Sequence, residues 1–433
     1  MKKLILAAWM LSQVTSYAHS SSTKASKVLT INAKSNYAKT LKSLQENGFD
    51  VLGVDIKNEL IDVALTKDEF IEFKKYNFKI NESRNDLLTS SIDERYLNSV
   101  EVEALMTEYA EKYPAIAKKI KIGETLEGRS IYAMKISDNV DEDEVSEPSV
   151  LFNGMHHSRE IMTAEVTTDI IKELLTKYNK DQKITHWVDS NEIYVLPIVN
   201  IDGNIKVWEG ENMWRKNARG GYGVDINRNY PTNWNACRGS SGWKFSQTYR
   251  GSEAASEPET NVLMNFVSQI KPVFNISYHA YSELVIYPYG CRGQRTLNRE
   301  VVEGIGKELG RVLNYTPGTA WETLYSVDGS DIDWMYEEEQ VIPYVIEVSP
   351  RSDGFQPSYD KRDPTVAHNR LGWQLLLDRL DGPMVRGINK NATTIKVENE
   401  DFSTEYRINP DGSYFIVLPE GSKASDFKLS FKK

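Results

Sequence analysis

The chain has 433 residues, 40% of them hydrophobic, with a formal net charge of −10 and a mean hydropathy of −0.49. At roughly 100–200 residues per domain, there is room for more than one domain and for a large buried core. The acidic balance excludes a surface built to neutralise nucleic-acid phosphates and reads as ordinary solubility.

Lys2 and Lys3 precede the apolar run Leu4 to Leu11, and small residues follow at Ser16 and Ala18. That is the order of a secretory signal peptide over residues 1–18, so a secreted or periplasmic protein is expected. The run is shorter than the about 20 apolar residues that cross a bilayer, and no later stretch qualifies. No stable membrane insertion is therefore expected. An exported compartment permits a disulfide between Cys237 and Cys291; two buried free thiols are the alternative.

Lys27 to Asn32 reads as a strand, and Tyr37, Leu41 and Leu44 then recur at helical spacing up to Gly48. Phe49 to Ile56 and Leu60 to Leu65 read as strands joined by a turn at Lys57-Asn58-Glu59. Thr66 and Glu69 form a capping box that opens a second helix. A last strand, Asn77 to Ile80, completes a β-α-β-β-α-β, ferredoxin-like α+β unit over residues 22–90. Residues 81–94 are polar and aperiodic, as a linker is.

From Tyr96 the pattern becomes a long alternation of helices and strands. Helices are expected at Val100–Tyr113, Thr163–Leu175 and His368–Leu380. Strands are expected at Ile131–Ile136, Ser149–Asn153, Ile193–Val199, Phe274–Tyr278 and Pro343–Val348. Such alternation predicts an α/β domain over residues 95–382, with a mixed, largely parallel central sheet flanked by helices. Gly382-Pro383 breaks the chain. Thr394–Val397 and Tyr414–Leu418, with a turn at Asp411-Gly412, predict a small β-rich domain over residues 383–433.

His157 and Glu160 lie three apart, just after the strand ending at Asn153. Strand ends of open α/β sheets are where ligand crevices form. Imidazole and carboxylate are donors that zinc accepts, and two from one turn call for a third from elsewhere. His279 supplies a candidate, since it follows the strand ending at Tyr278 and should emerge at the same edge. His156 has Arg159 three residues on and cannot pair in the same way.

The phrase Gly154-Met155-His156-His157-Ser158-Arg159-Glu160 resembles the metal-binding turn of the zinc metallocarboxypeptidase family. That family is related to the pancreatic carboxypeptidases A and B and includes bacterial members. The resemblance runs from about Tyr96 to Leu380. It includes Leu126-Glu127-Gly128-Arg129, Trp214-Arg215-Lys216, Val224-Asp225-Ile226-Asn227-Arg228-Asn229, Ile276-Ser277-Tyr278-His279, Tyr287-Pro288-Tyr289-Gly290 and Ile332-Asp333-Trp334.

The resemblance implies a carboxypeptidase-like fold, one Zn2+ held by His157, Glu160 and His279, and hydrolysis of C-terminal peptide bonds by a zinc-activated water. Glu347 matches the general base and proton shuttle. Arg215 matches the arginine that polarises the scissile carbonyl. Asn227 and Arg228 match the pair that grips the terminal carboxylate of a peptide or protein substrate. Tyr325 matches a mobile tyrosine that closes over it.

Ile332 falls at the specificity position and implies apolar or aromatic C-terminal residues, with Ile286, Ala320, Val327 and Val345 as further walls. Asp331, one residue earlier, would favour Lys or Arg if turned inward, which leaves dual or basic specificity open.

Residues 22–90 stand where the family carries an activation segment, so a zymogen with an activating protease acting near residues 81–95 is expected. A folding aid or a permanent accessory domain is the alternative. Asp411-Gly412-Ser413-Tyr414 and Leu418-Pro419-Glu420-Gly421 resemble the small transthyretin-like domain of some relatives; a sorting module is the alternative. The chain departs from the family pattern at Ile201, where Pro is common, and at Val348-Ser349-Pro350 after Glu347. Two rival functions remain at this level: hydrolysis of peptidoglycan stem peptides, and a non-catalytic binding protein on the same scaffold.

Overall fold

The computed structural model describes residues 25–34, 36–89 and 91–433; the expected signal peptide, 1–18, lies outside the described residues. Four strands, β1 (Lys27–Asn32), β2 (Asp50–Asp55), β3 (Leu60–Leu65) and β4 (Ile80–Ser83), form a sheet of order β2-β3-β1-β4. Helices Tyr37–Glu46 and Lys67–Phe73 bury Leu41, Leu44 and Phe73 in one cluster with Ile31, Val54, Ile61 and Val63. The Thr66 hydroxyl accepts from the Glu69 amide at 3.2 Å, and the Glu69 carboxylate accepts from the Thr66 amide at 2.7 Å. That reciprocal cap starts the second helix.

The fourth strand lies later than Asn77–Ile80. Asn77 takes the left-handed conformation (φ 52°) that ends the preceding 3-10 turn, and pairing with β1 starts only at Ile80. The segment expected as a plain linker also holds a short helix, Asp86–Thr89, with Leu87 buried.

The main sheet contains β5 (Ala117–Glu124), β6 (Ser130–Ile136), β7 (Ser149–Gly154), β8 (Glu192–Leu196), β9 (Phe274–Ala280), β10 (Leu284–Tyr287), β11 (Thr316–Thr319) and β12 (Ile342–Val348). Their order is β11-β10-β12-β9-β7-β8-β6-β5. The central β12, β9, β7 and β8 are parallel, whereas β10 pairs antiparallel with β12, as β6 does with β8 and β5.

Strand side chains alternate between faces. Phe152, Ile276, Tyr278 and Ile346 pack with Ile170, Leu174, Trp373 and Leu376 of helices Met162–Lys177 and Arg362–Leu380. Leu151 and Tyr194 pack with Leu263, Phe266 and Trp334 of helices Pro258–Ile270 and Asp331–Glu339. Burial on both faces explains why the central strands read as apolar runs. Strand β9 continues through His279 to Ala280, so His279 lies inside the strand rather than after it.

After the closing helix, β13 (Met384–Ile388) pairs with β16 (Ser413–Val417). Strand β14 (Thr394–Glu398) lies between β15 (Ser403–Arg407) and β17 (Lys428–Lys432). Val385, Ile395, Val397 and Ile416 belong to the same apolar cluster as the central sheet, so this segment is packed onto the α/β layer. The Gln340 side chain fixes it further, donating to the Arg407 carbonyl at 3.2 Å and accepting from the Arg407 amide at 2.7 Å. Among the described residues no helix is long and apolar enough to cross a membrane.

The N-terminal unit is seated on the edge of the main sheet through a buried carboxylate. Asp62 is 0% exposed. It accepts from Thr30 Oγ1 at 2.6 Å, Arg351 Nη1 at 2.9 Å and the Tyr281 hydroxyl at 3.0 Å. Beside it the Val54 amide donates to Ser282 Oγ at 2.9 Å. A buried charge is tolerated when its partners are complete, and two of these three, Arg351 and Tyr281, belong to the other unit.

Gly53 makes the closest approach, because a Cβ there would lie 2.4 Å from a Tyr281 ring carbon. The buried Tyr281 ring is held by Asp62 and cannot swing aside. Gly53→Val should unseat the N-terminal unit while the circular dichroism stays native. Limited proteolysis should then cut between residues 84 and 94 at least several-fold faster than in the wild type; an unchanged rate would show that the seam tolerates the added bulk.

Candidate active site and metal centre

The register of the parallel strands collects the site. Gly154, the last residue of β7, pairs with Tyr278 of β9, and His279 of β9 pairs with Glu347 of β12. The turn after β7 carries His157 and Glu160 to that same edge, at the carboxyl ends of the strands.

His157, Glu160 and His279 are buried, and their ligand atoms lie within 4.8 Å of one another. His157 Nδ1 is 2.8 Å from Glu160 Oε1. His279 Nδ1 is 3.1 Å from Glu160 Oε2 and 3.1 Å from His157 Nδ1. His156 turns the other way, its Nε2 lying 3.0 Å from the Tyr230 hydroxyl, and burial pushes its pKa down to about 4.

Asp225 joins this cluster to the arginine beside it. Its Oδ1 is 3.1 Å from His157 Nε2, and its Oδ2 accepts from Arg215 Nε at 3.1 Å and Nη2 at 2.9 Å. Burial alone would raise the Asp225 pKa, but Arg215 and then His157 hold it well below the usual carboxylate range. A carboxylate at Nε2 favours the tautomer protonated there, which would leave the Nδ1 lone pair for a metal ion shared with Glu160 and His279.

Sequence alone assigns Asp225 no role. The available clue was an acidic residue in the otherwise apolar Val224-Asp225-Ile226, two before Asn227.

A cavity of about 70 Å³ opens from this cluster. His157, Glu160, His279, Arg215, Asn227, Arg228, Tyr325, Ile332 and Glu347 all line it. Asn227 Oδ1 accepts from the Asp331 amide at 3.0 Å, and Arg228 Nε donates to the Gly239 carbonyl at 3.2 Å. The loop bearing Gly239 is braced by the Cys237–Cys291 disulfide, with a Cα separation of 5.7 Å. Burial pushes the Glu347 pKa up to about 8, with the nearby Glu160 carboxylate adding to the rise.

Ile286, Ala320, Val327, Ile332 and Val345 form the apolar end of the cavity. Asp331 does not line it. That side chain is fully buried, with Oδ1 accepting from the Ile332 amide at 2.8 Å and Oδ2 lying 3.6 Å from His156. It faces the protein interior because Asp331 begins a helix whose next residue, Ile332, takes the cavity-facing position.

A family profile described as zinc carboxypeptidase matches residues 102–372, more than half of the chain. The chain belongs to the zinc carboxypeptidase family.

Among its relatives, a zinc carboxypeptidase of Simulium vittatum is 29% identical over 287 residues, covering 63% of this chain and 92% of that protein. Zinc carboxypeptidase A 1 of Anopheles gambiae is 31% identical over 268 residues, covering 59% of this chain and 60% of that protein. The crystal structure of carboxypeptidase A from Helicoverpa armigera superposes with a TM-score of 0.70 at 23% identity, covering 81% of this chain and 95% of that one. The last likeness shows the shared mixed α/β fold.

Zinc is the metal of this family, and the side chains here fit it. Two imidazole nitrogens and one carboxylate converge at hydrogen-bond separations, a three-ligand N/O set that leaves a coordination position open. His157, Glu160 and His279 are the group that could hold the ion. Asp225→Ala should then weaken zinc binding about 10–100-fold, the usual cost of losing a partner behind a ligating histidine. Competition with a chromogenic chelator measures this, and wild-type affinity in the variant would remove Asp225 from the metal centre.

Proposed function

We propose that this chain is a secreted zinc carboxypeptidase that removes apolar or aromatic residues from peptide C-termini and is held latent by its N-terminal unit. The observation carrying this reading is the convergence on one cavity of the His157–Glu160–His279 cluster, Arg215, Glu347 and the Asn227–Arg228 pair.

Asn227 and Arg228 receive the terminal carboxylate, a charge-assisted contact that restricts cleavage to chain ends. The last side chain then enters the apolar end of the cavity beside Ile332. Arg215 is oriented by two bonds to Asp225, and its Nη1 is directed toward the cluster, 3.8 Å from Glu160. There it polarises the scissile carbonyl and stabilises the oxyanion, as a permanent cation in a water-poor site does well.

Bound zinc supplies Lewis acidity that makes water nucleophilic near neutral pH. Glu347 takes the proton as the water oxygen attacks the carbonyl carbon. It then delivers that proton to the leaving amine as the C–N bond breaks. A carboxyl with a pKa raised by burial is suited to both steps, and a cation in the neighbouring cluster would draw that value back toward neutrality.

Tyr325, partly exposed at the mouth of the cavity, is placed to close over the substrate. The apolar walls favour Phe or Leu at the terminus, and the burial of the Asp331 side chain away from the cavity removes the carboxylate that would have favoured Lys or Arg. Release of amino acids from peptides ending in Phe, Leu, Lys and Arg tests this. Phe and Leu should be released fastest and release should stop on chelation. Faster release of Arg, or hydrolysis indifferent to the chelator, would refute the assignment.

Latency rests on β2. Val51, Leu52 and Gly53 line the same cavity as the cluster, leaving about 70 Å³. Ligand pockets usually offer about 300–1,000 Å³, so a peptide terminus has too little room while β2 is seated. Cleavage between residues 84 and 94 should therefore raise the rate on protein substrates at least tenfold, read as amino-acid release before and after limited proteolysis. Full activity of the uncut chain would show a permanent accessory domain instead.

A further inference from the structure

A second, larger space of about 740 Å³ adjoins the first, with Arg215 and Tyr325 lining both. One side of it is made by the N-terminal unit, through Phe49, Asp50, Thr66 and Glu69, so the space becomes an open groove once that unit is released. Trp243 and Phe245, which are 53% and 49% exposed, also line the larger space. Their rings lie edge to face with centroids 5.6 Å apart. Two large aromatic side chains left in water next to a reaction site call for an occupant.

The loop that carries them is firmly built. The Ser241 amide donates to the Thr248 carbonyl at 2.9 Å, and the Arg250 amide to the Ser241 carbonyl at 3.1 Å. Between those ties the buried Lys216 ammonium donates to the carbonyls of Lys244 at 3.0 Å and Ser246 at 2.7 Å. Lys216 directly follows Arg215, so the aromatic pair is held in fixed relation to the residue that would polarise the scissile carbonyl. Both of these acceptors are backbone carbonyls, so the charge of Lys216 goes into holding the loop.

The direction of an extended chain is visible in the protein itself. Strand β2 carries Val51, Leu52 and Gly53 along the smaller cavity, while Phe49, Asp50 and Val51 line the larger one. A substrate whose C-terminal residue fills the apolar end must continue past Arg215. Each extended residue advances it about 3.3–3.6 Å, into the larger space.

We infer that Trp243 and Phe245 form a subsite for an apolar or aromatic side chain on the amino side of the scissile bond. This inference rests on the carboxypeptidase reading and adds an upstream specificity to it. An aromatic guest there covers apolar surface on both partners, and about tenfold in kcat/KM is the size of effect such burial gives.

The test compares three substrates ending in Phe: a blocked dipeptide too short to reach the loop, a pentapeptide with Leu and Phe upstream, and one with Ser and Gly there. The full chain is used after limited proteolysis, as wild type and as Trp243→Ala/Phe245→Ala. Because both positions are exposed loop residues, the variant keeps its fold. The wild type should prefer the apolar pentapeptide about tenfold over the polar one. The variant should lose that preference and keep the wild-type kcat/KM on the dipeptide; Trp243→Phe should retain most of the preference.

A preference unchanged in the double variant, or no preference in the wild type, overturns the subsite alone, as does an equal fall on all three substrates. A wild type that cleaves none of the three overturns the carboxypeptidase reading and the subsite with it.

Discussion

Parallel pairing of β9 with β12 sets His279 beside Glu347, and the pairing of β9 with β7 sets the turn bearing His157 and Glu160 above them. Side chains on a strand alternate between faces, so a slip of one residue would send His279 or Glu347 to the opposite side of the sheet. Burial on both faces prevents such a slip, because Phe152, Ile276 and Ile346 would lose the helices they pack against. The register that builds the core is therefore also the register that builds the site.

Around that edge, charge is arranged in a short relay of fixed contacts. Asp225 touches both His157 and Arg215, so one buried carboxylate orients an imidazole and a guanidinium at once. The cost of burying Asp225 is offset by complete pairing, and the rigidity that results is what a preorganised site requires. Asn227 is placed in a similar indirect way, through the backbone amide of the very residue, Asp331, whose side chain is turned from the cavity.

Much of this was legible in the sequence. Apolar runs at 149–153, 274–278 and 343–348 marked the central strands, and the Thr66–Glu69 box marked a helix start that the structure shows bond for bond. Strands at and next to the sheet edges were harder to see. In β5, Lys118, Lys119 and Lys121 interrupt the apolar pattern, as befits a strand with a free edge. Strands β10 and β11 span four residues each, too few for a periodicity to register.

The direction taken by Asp331 was beyond sequence reasoning, since Asp331 and Ile332 adjoin and only the helix start decides which faces the cavity. Asp225 was hidden for a different reason. Its importance lies in joining residues 68 and 10 positions away, a relation that exists only in three dimensions.

The seam around Asp62 has an electrostatic aspect as well as a mechanical one. Asp50 lies 3.7 Å from the Arg159 guanidinium, and Asp62 and Glu82 both bind Arg351. Three carboxylates of the N-terminal unit thus balance two arginines at the rim of the main domain. While the unit is seated, both guanidinium groups are paired with its carboxylates. Separation of the two bodies would uncover both guanidinium groups together, and the field of the rim would then draw in the negatively charged ends of peptides from several ångströms away. Under the proposed latency, one set of ion pairs would both fasten the N-terminal unit and mask the two arginines of the rim.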